Sequence, residues 1–134
     1  MGVVNIVFFF TYGYSLETWE RSGTLERELK TLKSLTKNYG HKFTLITYGD
    51  SKDLEINSVK KYFDVIPIYS LIKRNKNKNI NYIKSFIIPF KLKKLLKKTD
   101  FVHQHQLLGS WVVLLIKLIY RKPILIRTGY DMYL

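Results

Sequence analysis

The chain has 134 residues, a formal net charge of +13 and no cysteine. That length is one domain's worth of chain, and the composition excludes a disulfide framework and thiolate chemistry. The charge is uneven: residues 1–64 hold nine Lys/Arg against eight Asp/Glu, net +1, and residues 65–134 hold fourteen against two, net +12, so the second half is built to meet nucleic acid, an anionic membrane surface or an anionic substrate.

Met1-Gly2 is followed by neither a basic n-region nor a cleavage site, and Ile6 stands where N-myristoylation wants Ser or Thr, so neither signal is read. Val3 to Phe10 is an almost unbroken β-branched and aromatic run, the pattern of a strand buried on both faces, and is read as the central first strand. Thr11 to Ser22 is then a loop at the carboxyl end of that strand, where α/β sheets bind ligands. It carries large groups for a surface turn, among them Tyr12, Tyr14, Trp19, Glu20 and Arg21. From Gly23 the period becomes helical, with Leu25, Leu29, Leu32, Leu35 and Tyr39 on one face, Ser22 as N-cap, and Gly40 as stop.

His41 to Tyr48 is the second strand and Tyr62 to Ile68 a weaker third one, confined by Pro67 to an edge or a strand end. Residues 51–61 between them form a polar connection or short helix. Ser70 to Asn81 is a Lys/Asn run with the composition of a mobile loop. Tyr82 to Lys98 has the pattern of one amphipathic helix kinked at Pro89, with Ile83, Phe86, Ile87, Phe90, Leu92, Leu95 and Leu96 as its apolar face and Lys84, Lys91, Lys93, Lys94, Lys97 and Lys98 as its charged one. From Lys73 to Lys98 there are ten basic residues and no acid, the signature of a surface that sits on anionic lipid. A core-packing helix with a solvated lysine face has the same pattern. Asp100 to His105 is a fourth strand. Gln106 to Tyr120 is a buried helix, too short to span a bilayer, and Pro123 to Arg127 is a fifth strand. The order implies an α/β fold: a Rossmann-like, doubly wound parallel sheet with helices on both faces.

Five stretches in register, FFFTYGYSLETWERSGTLERE, TLITYGD, SFIIPFKLKKLLKK, HQHQLLGSW and KPILIRTGYDMYL, resemble the N-terminal domain of a GT-B glycosyltransferase of the family 4 type. The resemblance covers nearly the whole chain. It implies a retaining transferase of two Rossmann-like domains, with residues 1–134 as the acceptor-side one. The donor domain with its Glu-x7-Glu signature is absent, and the end just past the fifth strand reads as a truncation.

By the same resemblance Gly23 matches the glycine that approaches donor phosphates and acceptor, with Ser22 where relatives often have a second glycine, and Arg27-Glu28 matches an Arg-Glu pair of the first helix. His103 and His105 match the end of the fourth strand, where relatives place a histidine near the reacting hydroxyl, and are the candidate catalytic groups. Arg127, Gly129, Tyr130 and Asp131 match a loop lining the cleft. Tyr12, Gly13 and Arg21 complete the expected substrate-binding set. A nucleoside diphosphate sugar is the implied donor, with metal-independent transfer and no tightly bound cofactor. A lipid-linked sugar or polysaccharide is the implied acceptor, and the implied place is cytoplasmic, on the inner face of the cell membrane. Two other readings stay open: a basic binding module for membrane or nucleic acid, the latter disfavoured because the cations alternate with Ile and Leu rather than aromatics, and one subunit of a split enzyme completed by a partner chain.

Overall fold

A computed structural model describes residues 4–105 and 108–126. Five parallel strands, β1 (Asn5–Phe9), β2 (Lys42–Thr47), β3 (Asp64–Pro67), β4 (Phe101–Gln104) and β5 (Ile124–Ile126), form one sheet in the order β3-β2-β1-β4-β5. β1 is the central strand, pairing Phe8 with Leu45 on one side and with His103 on the other. Phe9 and Phe10 are fully buried, as a run this apolar requires. β3, with its proline, is an edge. The arrangement is Rossmann-like: β1 leads outward to β2 and β3, and β4 and β5 extend the sheet from its other side, so the order reverses between β1 and β4.

The stretch read as an open loop contains a helix, α1 (Leu16–Ser22), followed by α2 (Leu25–Tyr39). Ser22 is therefore the last residue of α1 and not an N-cap. Ser15 caps α1 by accepting from the Thr18 N–H at 3.1 Å, and Gly23 ends it in the left-handed region at φ 77°. Trp19 of α1 stacks on Phe10 with centroids 4.1 Å apart, so the helix is held by the strand it follows. A 3-10 turn (Ser51–Glu55) and α3 (Asn57–Lys60) connect β2 to β3.

The Lys/Asn run is built rather than loose. α4 (Lys78–Lys84) starts inside it, and its asparagines fasten one another at alternate positions. Asn75 Oδ1 accepts from the Asn77 N–H, Asn77 Oδ1 from the Asn79 N–H, and Asn81 Oδ1 from the Asn75 N–H at 2.7 Å. The first two are Asx turns, which side chains of this length close onto the backbone two residues on, and the third ties the start of the run to α4.

The kinked helix of residues 82–98 is instead broken into the end of α4, a 3-10 turn (Ser85–Ile87), α5 (Ile88–Lys91) and α6 (Lys93–Lys97). Pro89 stands in the first turn of α5, where its missing N–H is harmless, and no single helix runs through it. The breaks separate the apolar residues. Ile88, Leu92 and Leu96 turn into the core, whereas Ile83 and Phe90 stay 65% and 61% exposed. The last helix, α7 (Ser110–Tyr120), is not buried all round: Val112, Val113 and Ile116 are buried, and Leu114, Leu118 and Ile119 face outward. Among the described residues no helix is long and apolar enough to cross a membrane.

Candidate functional site

The carboxyl ends of β1, β2 and β3 are lashed together by backbone hydrogen bonds. The Tyr12 N–H donates to the Leu108 carbonyl at 3.1 Å, the Tyr48 N–H to the Tyr14 carbonyl at 3.0 Å, and the Tyr69 N–H to the Gly49 carbonyl at 3.1 Å. Each bond fixes the root of a tyrosine, and the three rings converge. Tyr12 and Tyr48 have centroids 5.0 Å apart, and Tyr82 of α4 closes on Tyr12 at 6.4 Å and on Trp111 of α7 at 5.0 Å. With Arg74 and the asparagine turn they line a cavity of about 740 Å³, the size of ordinary small-ligand sites. The Arg74 guanidinium lies over the Tyr69 ring at 4.1 Å and donates to the Tyr48 carbonyl at 3.4 Å.

Burial raises the Tyr48 phenol pKa well above its usual 10.0, and the neighbouring Tyr12 and Tyr69 raise it further. The Tyr48 hydroxyl has no hydrogen-bond partner among the described residues, which costs about 1–3 kcal/mol. The sign of the pH effect follows. Above pH 10 the unfolded chain loses this proton while the folded one keeps it, so stability falls as pH rises, by at most about 1.4 kcal/mol per pH unit for one group. Tyr48→Phe is expected to unfold at higher urea than the native chain at neutral pH, and to lose less stability between about pH 9 and about pH 11.

A second, smaller cavity of about 210 Å³ adjoins the first, sharing Gly13, Tyr48 and Arg74 and reaching Arg21. Its floor is Asp53, a carboxylate only 1% exposed. Asp53 accepts from the Leu16 N–H at 3.2 Å, the Glu17 N–H at 3.0 Å and the Thr47 hydroxyl at 2.5 Å. The amino end of α1, the usual place for an anion in such folds, is thus filled by the chain's own carboxylate. Gly49 makes this possible, because a Cβ there would stand 2.4 Å from Asp53 Oδ2.

His105, buried, links β1 to α2. Its Nε2 lies 2.8 Å from Glu28 Oε2 and its Nδ1 3.0 Å from Thr11 Oγ1. A carboxylate can only accept, so in the neutral ring Nε2–H donates to Glu28 and Nδ1 accepts from the Thr11 hydroxyl. Arg27 joins the group through Glu28 at 3.5 Å. His103 lies on the same face of β4, half-buried and edge-on to Phe8 at 4.9 Å.

The expected site residues therefore divide. Tyr12 and Gly13 are at the large cavity, and Arg21, exposed and paired with Glu17 at 3.7 Å, reaches the small one. Ser22 and Gly23 lie at the far end of α1, where the Ser22 hydroxyl contacts the Trp19 carbonyl and Thr24. Arg127, Gly129, Tyr130 and Asp131 are outside the described residues. Of the expected docking lysines, Lys84 donates to the Lys73 carbonyl at 2.9 Å, and Lys91, Lys93, Lys94, Lys97 and Lys98 are exposed. Sequence reasoning passed over Tyr48, Asp53, Tyr69 and Arg74. The signal was there for two of them, since Tyr48 and Tyr69 each follow a strand end. Among the described residues no group of three or more His, Asp and Glu side chains is placed to hold a metal ion.

No protein-family model and no curated protein matches the chain. Solved structures share its fold. A glycosyltransferase from Rickettsia africae ESF-5 superposes with a TM-score of 0.55 at 18% identity, covering 99% of this chain and 34% of that one. The C-terminal domain of a hydrogenase from Pyrococcus furiosus superposes with a TM-score of 0.53 at 15% identity, covering 92% of this chain and 90% of that domain. The chain thus spans about a third of the glycosyltransferase it resembles. At these identities the likeness is one of fold, and two such different proteins sharing it shows that function must be argued from the site.

Proposed function

We propose that the chain is the acceptor-binding part of a retaining GT-B glycosyltransferase of the family 4 type, which moves a sugar from a nucleoside diphosphate sugar to a lipid-linked or other glycan acceptor at the cytoplasmic face of a membrane. The observation that carries this reading is the adjacency of two surfaces. The tyrosine-lined cavity at the strand ends suits a sugar. Through Tyr82 and Phe86, 5.5 Å apart, it runs into a segment where exposed Ile83, Ile87 and Phe90 neighbour exposed lysines. A sugar in the first and its lipid against the second is the geometry a lipid-linked acceptor needs.

In this reading a second domain, or a partner chain, supplies most of the groups that bind the donor and stabilise the leaving diphosphate. By the family resemblance, Gly23 is assigned to that donor and the acceptor, and Arg127, Gly129, Tyr130 and Asp131 to the same cleft. The Thr11–His105–Glu28 chain holds the imidazole in one tautomer; with His103 it is the part nearest to catalysis.

The test compares the 134-residue chain with the native gene product captured from its own cells, each given a panel of nucleoside diphosphate sugars and a membrane extract as acceptor. The native product is expected to be several tens of kDa heavier than 15.9 kDa, or to carry a partner, and to release nucleoside diphosphate as sugar enters the lipid fraction. The short chain is expected to release none. Release by the short chain, or no release by the native product with any donor, would overturn the reading.

A further inference from the structure

The wall of the large cavity has a composition of its own. Among the described residues it holds phenols, carboxamides and cations, with no aliphatic side chain and no carboxylate. Its rings offer faces on which the C–H faces of a sugar can stack, and its phenols and amides suit the sugar's hydroxyls. Arg74, Lys76 and Lys78 make the lining net positive, so the potential inside favours an anion. Arg74 is held in place by Tyr69 and by one bond to the Tyr48 carbonyl, which leaves most of its five donors for a ligand. Tyr48, 3% exposed, lines both this cavity and the smaller one, but its hydroxyl is itself buried.

We propose that this cavity takes an anionic sugar unit, a hexuronate or a hexose phosphate, by stacking on Tyr69 and Tyr82 and a charged contact to Arg74. That the sugar belongs to an acceptor rests on the glycosyltransferase reading; that it binds does not.

The experiment titrates the purified chain with glucuronic acid, glucose 1-phosphate, glucose, inorganic phosphate and uridine monophosphate, following backbone amide NMR shifts. Glucuronic acid or glucose 1-phosphate is expected to bind at least tenfold more tightly than glucose or phosphate and to shift the amides of Gly49, Tyr69 and Asn75. Whichever of the two wins identifies the source of the charge. Arg74→Ala is expected to reduce the charged sugar to the level of glucose. Tyr82→Ala is expected to weaken it about tenfold through the lost stacking face, with little change in the melting temperature because that ring is 43% exposed. Equal binding of glucose and the charged sugars, no binding of any sugar, tighter binding of uridine monophosphate, or an unchanged affinity in Tyr82→Ala would each overturn the proposal. Sugar transfer by the native product with no dependence on Arg74 or Tyr82 would sink this site and leave the transferase standing; charged-sugar binding without any transfer would do the reverse.

Discussion

Replacing Asp53 by alanine is expected to destabilise the chain by about 3 kcal/mol, a drop of roughly 10 °C in melting temperature for a domain of this size. The carboxylate satisfies three donors at once, two of them N–H groups in the first turn of α1 and the third the buried Thr47 hydroxyl. Truncation strands all three where water cannot reach them and removes the negative charge opposite the positive end of a helix. Because α1 carries Trp19, which stacks on Phe10 and contacts His105 at 5.1 Å, the loss spreads into the core. Asp53→Asn keeps the shape and can still accept, and is expected to lose about half as much. Urea unfolding checks both: the midpoint should fall while the slope stays constant. A loss under about 0.5 kcal/mol for the alanine variant would mean that α1 does not depend on this cap.

The second large effect concerns the basic segment. Changing Lys91, Lys93, Lys94, Lys97 and Lys98 together to glutamate is expected to abolish binding to vesicles containing anionic lipid. Each lost cation removes about 1 kcal/mol of attraction near the headgroups, so even partial engagement gives a loss of a hundredfold or more at low salt. Raising ionic strength should weaken the native chain in the same direction. Phe90→Ser, which removes an exposed ring without touching charge, is expected to lower affinity less, and to do so equally at low and high salt. Co-sedimentation with phosphatidylserine-containing and purely zwitterionic vesicles separates the contributions. Unchanged binding in the five-lysine variant would remove the membrane from the reading. If that variant instead lost RNA binding, and the native chain ignored vesicles, the basic half would belong to a nucleic acid.

The strands were legible in the sequence for a simple reason. A residue buried on both faces of a sheet must be apolar whatever surrounds it, so Val3 to Phe10 and His41 to Tyr48 carry their own evidence. The helical segments were read less well where their apolar residues serve two purposes. Along residues 82–98 the pattern is that of one stripe, yet Leu92 and Leu96 pack inward and Ile83 and Phe90 point outward. Hydropathy cannot tell a residue facing a core from one facing another surface. The Lys/Asn run misled for the opposite reason, because composition predicts disorder but the alternate spacing of Asn75, Asn77 and Asn79 lets two Asx turns form in succession. Spacing was the better guide there.

The amino-acid sequence by itself determined the class of fold, the central place of the first strand, the asymmetry of charge and the end of the sheet at which a site belongs, since each follows from local composition and period. Only the tertiary structure decided which residues make that site. Asp53 meets α1, His105 meets Glu28, and Tyr12, Tyr48, Tyr69 and Arg74 surround one cavity because parallel strands bring together loops that are dozens of residues apart in the chain. No periodicity within a window of sequence can express a contact of that kind.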